Sequence, residues 1–372
     1  MKKIFFISLL ISIGCKQAYT PPLHDANDDF LVVEGFINNG QDSTYIYLTH
    51  TFTLQDTGQV TPELHAQLTV EGKDNSSYPL QEWGSGQYGV TSLTLNNALQ
   101  YRLHIKTSKG KEYVSDFLTL KPSPPIDSIS WARTKDGVQI YANTHDPQKA
   151  STYYRWEYQQ TWEFHSAYYT VLQYVGDSLE PLYTDPYYTC WKYANSSSVL
   201  VTSTNKLAKD EVYQFPLVLI PSNSWIISVR YSILVKQYVL TEDAYTYWSD
   251  LQKNTEQIGS IFSPQPFAPP KSNIHNVADT SEQVIGFLSA GTLQRQRIFI
   301  TPDQVPDWKP GGYDVCIEFD IPEDSLHYYL YQHRWEPINP IQVSLFETRY
   351  NISGADCVDC RLIGTTAKPS FW

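Results

Sequence analysis

Residues 31–37 read LVVEGFI and are followed by Asn38-Asn39-Gly40. β-Branched and large apolar residues favour a strand, and an Asn-Gly pair favours a tight turn at its end. Similar short strand patterns recur up to Leu120, with turn residues about every ten positions, as at Lys109-Gly110. Because about seven short strands in this length are typical of an immunoglobulin-like fold, residues 30–121 are predicted to form a β-sandwich of that type.

A proline-rich junction, Pro122-Ser123-Pro124-Pro125, separates this segment from the rest of the chain. Proline supplies no backbone N–H to a sheet, so the junction indicates a domain boundary. Residues 126–372 are again rich in strand patterns, except between 241 and 258. There, Thr241 suits an N-cap, apolar residues recur every three or four positions, and Gly259 suits the C-terminal end of a helix. The sequence therefore predicts a mainly β protein, in which an N-terminal immunoglobulin-like β-sandwich is followed by a larger β-rich domain with one amphipathic helix.

The first residues, MKKIFFISLLISIGC, have the pattern of a bacterial secretion signal. Two lysines precede an apolar stretch that is too short to form a spanning anchor. The stretch ends at Cys15 in a sequence similar to a lipobox, although Ser12 stands where a leucine is usual. We therefore expect residues 1–14 to be removed, Cys15 to carry a lipid anchor, and residues 15–29 to form a tether at the membrane surface. The alternative is an ordinary signal peptide that happens to contain a cysteine.

Charge and composition exclude several broad classes of protein. The chain has 39 acidic and 27 basic side chains, a net charge of −12, so it lacks the basic excess that nucleic-acid binding requires. The sequence contains no apolar run of the length needed to span a membrane. Its 28 Tyr and 10 Trp can fill sizeable cores, which excludes intrinsic disorder.

Four cysteines remain besides Cys15, namely Cys190, Cys316, Cys357 and Cys360. In a secreted protein we expect them to form two disulfides. The favoured pairing ties the Cys357/Cys360 segment back to Cys316 and Cys190, because closing long loops restricts the unfolded chain most. A direct Cys357–Cys360 bridge is the alternative. A metal site at this C-x-x-C would need a further ligand pair that the sequence lacks, so no metal ligand is predicted.

The sequence carries no recognised catalytic or cofactor-binding motif, so we predict neither an enzyme nor a cofactor. Glu157 and Glu163 lie among aromatic residues, as carboxylates do in many glycosidases, but an ion pair of Glu157 with Arg155 is the simpler interpretation. The excess of Tyr and Trp is the one positive indication of a binding function, because these side chains give large, rigid contact areas. The candidate partner-binding residues are Trp156, Trp162, Tyr168 and Trp191. Core packing is the alternative for each of them.

Several segments, taken in order along the chain, resemble a family of Bacteroidetes secreted lipoproteins, domain of unknown function 4249. The segments that carry the resemblance are Leu31–Gly35, Pro124–Ser128, Asp146-Pro147, Tyr153–Trp156, Cys190-Trp191, Glu256–Phe262, Asn273–Val277, Val284–Gly286, Asp356–Arg361 and Lys368–Trp372. The resemblance implies an outer-membrane location beside a TonB-dependent transporter, and it brings no catalytic residue with it.

The favoured hypothesis is therefore an outer-membrane lipoprotein that acts as a non-enzymatic accessory or ligand-binding partner of a TonB-dependent transporter. One alternative is a surface glycan hydrolase, for which a pocket holding two carboxylates would be expected. The other is an adhesion or envelope-assembly module, for which a flat exposed apolar patch would be expected.

Overall fold

The computed structural model describes residues 29–51, 60–222, 224–256, 270–308 and 315–372. The predicted signal segment 1–14, the lipidation candidate Cys15 and the tether up to residue 28 lie outside the described residues. The described chain is mainly β, as predicted, with one long helix. In this part of the chain, no helix is long and apolar enough to cross a membrane.

The N-terminal part forms a two-sheet sandwich. Its strands are β1 (Leu31–Asn38), β2 (Thr44–His50), β3 (Thr61–Pro62), β4 (Gln67–Gly72), β5 (Ser77–Gly84), β6 (Gln87–Val90), β7 (Gln100–Lys106), β8 (Glu112–Ser115) and β9 (Leu118–Thr119). One sheet has the order β1-β2-β6 and the other the order β5-β4-β7-β8, while β5 also pairs with β6 and joins the two sheets. Short strands β3 and β9 pair with β2 and β7.

The inner faces of both sheets share one hydrophobic core. Ile46 from the first sheet and Leu68 and Leu103 from the second sheet are fully buried in it. Near the start of β7, the hydroxyl of Tyr101 accepts a hydrogen bond of 2.8 Å from the backbone N–H of Asn96. A tyrosine at this corner that bonds back to the preceding segment is a hallmark of immunoglobulin-like sandwiches. The sheet order and this corner confirm the predicted fold class.

The second half begins with a longer sandwich. Its elements are β10 (Ile126–Arg133), β11 (Gly137–His145), β12 (Tyr153–His165), β13 (Leu172–Val175), β14 (Ser178–Pro181), β15 (Thr189–Asn195), β16 (Leu200–Ser203), β17 (Glu211–Pro221), β18 (Arg230–Val239) and helix α1 (Glu242–Glu256). The remaining elements are β19 (Ile274–Asn276), β20 (Ser289–Gly291), β21 (Gln294–Ile300), β22 (Phe319–Pro322), β23 (Trp335–Ser344), β24 (Glu347–Gly354) and the short helix α2 (Ala355–Val358). Short helical turns occupy Trp225–Ile227, Pro302–Gln304, Glu323–Ser325, His327–Gln332 and Cys360–Leu362.

Strand β12 is central to this second sandwich. It lies between β15 and β18 in a sheet of order β15-β12-β18-β21, and β16 pairs with its first residues. The sheet β10-β11-β17 contributes to the same hydrophobic core. Alternate residues of β18, Tyr231, Ile233 and Val235, are fully buried in that core, which is the pattern expected of a strand with one face inward.

The predicted helix is present as α1. Thr241 caps it, because its Oγ1 accepts a hydrogen bond of 3.2 Å from the N–H of Ala244. Glu242 and Asp243 occupy the first turn, where negative charge is favourable. The predicted C-terminal glycine, Gly259, lies outside the described residues.

The segment after α1 returns to the N-terminal sandwich. Strand β19 pairs with β8, and β20 pairs in parallel with β1, so each of the two sheets gains an edge strand. Gly286 has a φ of +122° and approaches Val33 so closely that a Cβ would lie 2.0 Å from the Val33 carbonyl oxygen. Only glycine fits there. Residues 274–291, which the sequence prediction placed in the domain 126–372, thus extend the first sandwich instead.

The C-terminal part forms a small module around the sheet β22-β24-β23 and the hairpin β13-β14. Ile321, Leu330 and Ile352 are its buried centre. Two disulfides fasten the module's end: Cys190 pairs with Cys360, and Cys316 pairs with Cys357. The tail is therefore tied back to both distant cysteines, as favoured from the sequence. The direct Cys357–Cys360 bridge is absent, and neither cysteine is free to bind a metal.

Candidate functional site

Trp156, one of the four candidate partner-binding residues, is a core residue. Its side chain is 1% exposed and stacks on Phe215 with ring centroids 4.6 Å apart. Its indole Nε1 donates a hydrogen bond of 3.1 Å to the side-chain oxygen of Gln237. A partner cannot reach this ring in the folded protein, so the assignment of Trp156 to a binding surface is corrected.

Trp162 and Trp191 are also buried, on opposite faces of the β12 sheet. Trp162 faces the second sandwich core and meets Trp225 edge-on at 5.9 Å. Trp191 on β15 is 8% exposed, and its backbone exchanges hydrogen bonds of 2.8 and 3.0 Å with Thr365 alongside it. The sequence pattern was misleading because residue type alone does not show which rings of a strand are covered: Tyr193, on the same face of β15 as Trp191, is 43% exposed. Neither indole is available as a surface anchor.

Tyr168, the fourth candidate, is half-buried and hydrogen-bonded to both cysteines of one disulfide. Its hydroxyl donates a hydrogen bond of 3.1 Å to the carbonyl of Cys316. Its backbone N–H donates at 3.1 Å to the carbonyl of Cys357. Tyr168 thus holds both ends of one disulfide against the start of the C-terminal module, which is a structural role.

The two carboxylates considered for glycoside chemistry are engaged by neighbouring side chains. Glu157 lies 2.6 Å from Arg155 and accepts a hydrogen bond of 2.8 Å from the Tyr238 hydroxyl. Burial alone would raise the pKa of Glu157, but the charge of Arg155 and the Tyr238 hydrogen bond outweigh it and hold the pKa below its ordinary value. Glu163 accepts a hydrogen bond of 2.6 Å from the indole of Trp372. The predicted ion pair of Glu157 with Arg155 is present.

Phe346, Tyr183 and Leu345 have the most exposed large hydrophobic side chains of the described chain, and two of these residues, Leu345 and Phe346, lie together at one hairpin tip. Strands β23 and β24 pair up to Ser344 opposite Glu347, which leaves Leu345 and Phe346 as a two-residue turn. Their side chains are 92% and 98% exposed. We call Leu345 and Phe346 the tip dipeptide.

The residue types of the tip dipeptide are unfavourable for a hairpin turn. Two-residue hairpin turns favour Asn-Gly, Asp-Gly or a glycine at the first position, because the matching turn types need positive φ angles. Leu345 and Phe346 do not adopt positive φ. The Gln342 side chain braces the turn instead, donating hydrogen bonds to the carbonyls of Ser344 and Glu347. Neither positive φ angles nor burial accounts for large apolar residues at these two positions.

Other exposed rings lie in the same module. Tyr328 and Tyr331, on the helical turn beside β23, are 51% and 66% exposed, and Val343 next to the tip is also more than half exposed. The module is small, yet it is pinned by a disulfide and by the pair of Arg349 with Asp320 across β24 and β22. It therefore presents apolar side chains on a rigid support, which lowers the entropic cost of binding.

The described residues define a double β-sandwich protein with a disulfide-tied C-terminal module. A family model described as a domain of unknown function, DUF4249, matches residues 16–297. The chain belongs to this family, as predicted from the matching segments and their order along the chain. No curated protein matches the chain.

Two solved structures show a distant likeness to the chain. One is a segment of two fibronectin type III domains from chicken tenascin, which is 12% identical, with 57% of this chain and 94% of that chain covered and a TM-score of 0.17. The other is a DUF4785 family protein from Legionella pneumophila, which is 10% identical, with 56% and 52% covered and a TM-score of 0.19. The fold assignment rests on the sheet order and the tyrosine corner.

Proposed function

We propose that this protein is an outer-membrane lipoprotein, anchored through Cys15, that acts as a non-enzymatic accessory partner of a TonB-dependent transporter. The tip dipeptide is its principal contact. The observation that carries the proposal is the pair of almost fully exposed apolar side chains in a braced two-residue turn. The choice of the transporter as partner, and of the outer membrane as location, rests on the family resemblance of the sequence.

The energetics of two such side chains suit an accessory contact. Burying a Leu or Phe side chain contributes about 1.5–3 kcal/mol each. Interface energy concentrates in a few residues of this kind, surrounded by contacts that mainly exclude water. Val343, next to the tip dipeptide, adds further exposed apolar surface beside it. The lipid anchor would hold the protein near its partner, so that a modest contact suffices.

Affinity purification from the native outer membrane tests the proposal. The wild type is compared with the double variant Leu345→Ser/Phe346→Ser, whose melting temperature should not change because neither side chain is buried. We expect a TonB-dependent channel to co-purify with the wild type and to be recovered about tenfold less well, or worse, with the double variant.

Matched controls are available on the second sandwich. Leu207→Ser and Tyr213→Ser each remove an exposed apolar side chain far along the chain from the tip. Both controls should recover the channel as the wild type does, and Cys15→Ser should lose the membrane fraction. If no such channel accompanies the wild type, the accessory proposal is wrong. Equal recovery with the tip variant would reject the tip dipeptide as the contact.

A further inference from the structure

A cleft of about 290 Å³ lies where the two sandwiches meet. One wall is the β8–β9 corner of the N-terminal sandwich, including Phe117. The second wall is the start of α1, and the third is the returning segment at Phe287–Ala290. Junctions between domains are frequent places for small-molecule sites, and this volume is close to the lower end of their range.

Two side chains of opposite charge, the half-buried Lys121 and the exposed Asp243, line this cleft. Among the described residues, no ion pair or side-chain hydrogen bond involves Lys121 or Asp243, although both line the same cavity and carry opposite charges. Ser289 also lines the cleft, but its Oγ is closed to solvent and does not face it.

The apolar part of the cleft consists of two rings on different walls. Phe117 is held in place by Lys73 and Arg102, each 5.1 Å from its ring centroid. Phe287 packs on Tyr247 with centroids 5.2 Å apart. Rings that are fixed by their own neighbours can receive an apolar group without first being ordered.

We propose that this cleft binds a small zwitterion of the peptide class, a free amino acid or a short peptide. Its carboxylate would pair with Lys121, its ammonium group with Asp243, and its side chain would lie against Phe117 or Phe287. A ligand with both charges places a counter-charge beside each of these side chains, whereas a neutral polyol offers neither of them a counter-charge. A dianion would be repelled by Asp243 and by Asp116 at the same cleft.

This inference does not rest on the transporter proposal. The tip dipeptide belongs to the C-terminal module, while the cleft is formed by the N-terminal sandwich, α1 and the returning segment. A protein that loses one activity can therefore retain the other. The two proposals fail separately.

Calorimetric titration of the mature chain, with Cys15→Ser to keep it soluble, tests the cleft. The probes are the dipeptide Ala-Phe, its N-acetylated form, which lacks the ammonium charge, and its C-terminal amide, which lacks the carboxylate. We expect Ala-Phe to bind and each modified form to bind at least about tenfold more weakly, since each loses one charge-assisted contact. No heat of binding for Ala-Phe at millimolar concentration, or equal binding of all three probes, would overturn the proposal.

Two variants with matched controls locate the site. Lys121→Met should lose the preference for the free carboxylate, and Asp243→Asn should lose the preference for the free ammonium group. Lys109→Met and Glu242→Gln are the controls, since each removes the same type of charge from a residue that does not line the cleft. Circular dichroism melts of all four identify any variant that does not fold, and Lys121→Gln replaces Lys121→Met if needed. If both cleft variants still preferred Ala-Phe over its modified forms as the wild type does, the dipeptide would bind elsewhere and the proposed site would be wrong.

Discussion

The indole Nε1 of Trp372 donates a hydrogen bond of 2.6 Å to the carboxylate of Glu163 on β12, 209 residues earlier in the chain. The same indole ring lies edge-on to Phe299 at 5.6 Å and under the guanidinium of Arg230 at 5.3 Å. The C-terminal segment is thus fixed on the outer face of the β12 sheet. Trp191, which lies opposite Glu163 in the pairing of β15 with β12, is on the same face of the sheet.

Removing the Trp372 side chain should destabilise the protein moderately. Trp372→Ala deletes a hydrogen bond to a charged carboxylate and two ring contacts on a partly exposed face, so we expect the free energy of unfolding to fall by about 1–2 kcal/mol. Urea denaturation measures it. Trp83→Ala, which removes a more exposed indole, is the control and should change stability by less. An unchanged unfolding midpoint in Trp372→Ala would show that the segment does not stabilise the sheet.

The Cys190–Cys360 disulfide should be among the largest single contributions to stability. It links residues 170 positions apart, and in the loop-entropy model closing such a loop stabilises the fold by about 5 kcal/mol. The double variant Cys190→Ser/Cys360→Ser should lose that amount in chemical denaturation. Non-reducing peptide mapping of the wild type should recover the Cys190/Cys360 and Cys316/Cys357 peptides. Free thiols, or a Cys357/Cys360 peptide, would contradict the pairing.

Truncation of a core aromatic residue should lower the free energy of unfolding far more than truncation of a surface aromatic residue. Trp156→Ala removes a ring that is 1% exposed together with its hydrogen bond to Gln237, and should cost about 3–5 kcal/mol. Phe346→Ala removes a ring that is 98% exposed, and should change the free energy of unfolding by less than about 0.5 kcal/mol. Thermal melting of both variants separates the two classes. Similar melting temperatures for the two variants would reject the burial assignment.

The Glu157–Arg155 pair should contribute a pH-dependent part of stability. Because the folded-state pKa of Glu157 lies below its ordinary value of 4.5, the carboxylate binds a proton more readily when the chain is unfolded. Its contribution is therefore complete above about pH 4.5 and is lost as the pH falls through the lowered folded-state pKa. Urea unfolding of the wild type and Glu157→Gln should differ most at neutral pH and converge in acid. A constant difference across that range would contradict the pairing.

The local features of the fold were predictable from short stretches of sequence. The strand pattern from Leu31, the Thr241 cap and the even number of cysteines each depend on neighbouring residues or on simple counting, and each prediction is confirmed. The returning segment was not predictable in this way. Strands β19 and β20 join sheet edges through backbone hydrogen bonds, which leave no side-chain signature, and Gly286 is the only local trace of the close approach.

The candidate site was missed for a related reason. Trp156 and Trp162 lie on the inward face of β12, which the alternation of rings alone does not distinguish from a binding face, and Trp372 reaches the outward face from far along the chain. The tip dipeptide was detectable in principle. The segment from 335 to 354 contains two strand patterns, and Leu345-Phe346 lies between them without any turn-favouring residue. Two large apolar residues at a turn between two strand patterns are the sequence feature that could have identified this candidate contact.

The central claim is that the tip dipeptide contacts a TonB-dependent transporter, and site-specific photo-crosslinking tests it most directly. A benzophenone side chain is placed at position 346 in the full-length protein in its native membrane, with position 213 on the exposed face of β17 as the control. The account predicts that irradiation joins position 346, and not position 213, to a TonB-dependent channel identified by mass spectrometry. Equal crosslinking from both positions, or no channel crosslinked from position 346, would contradict it.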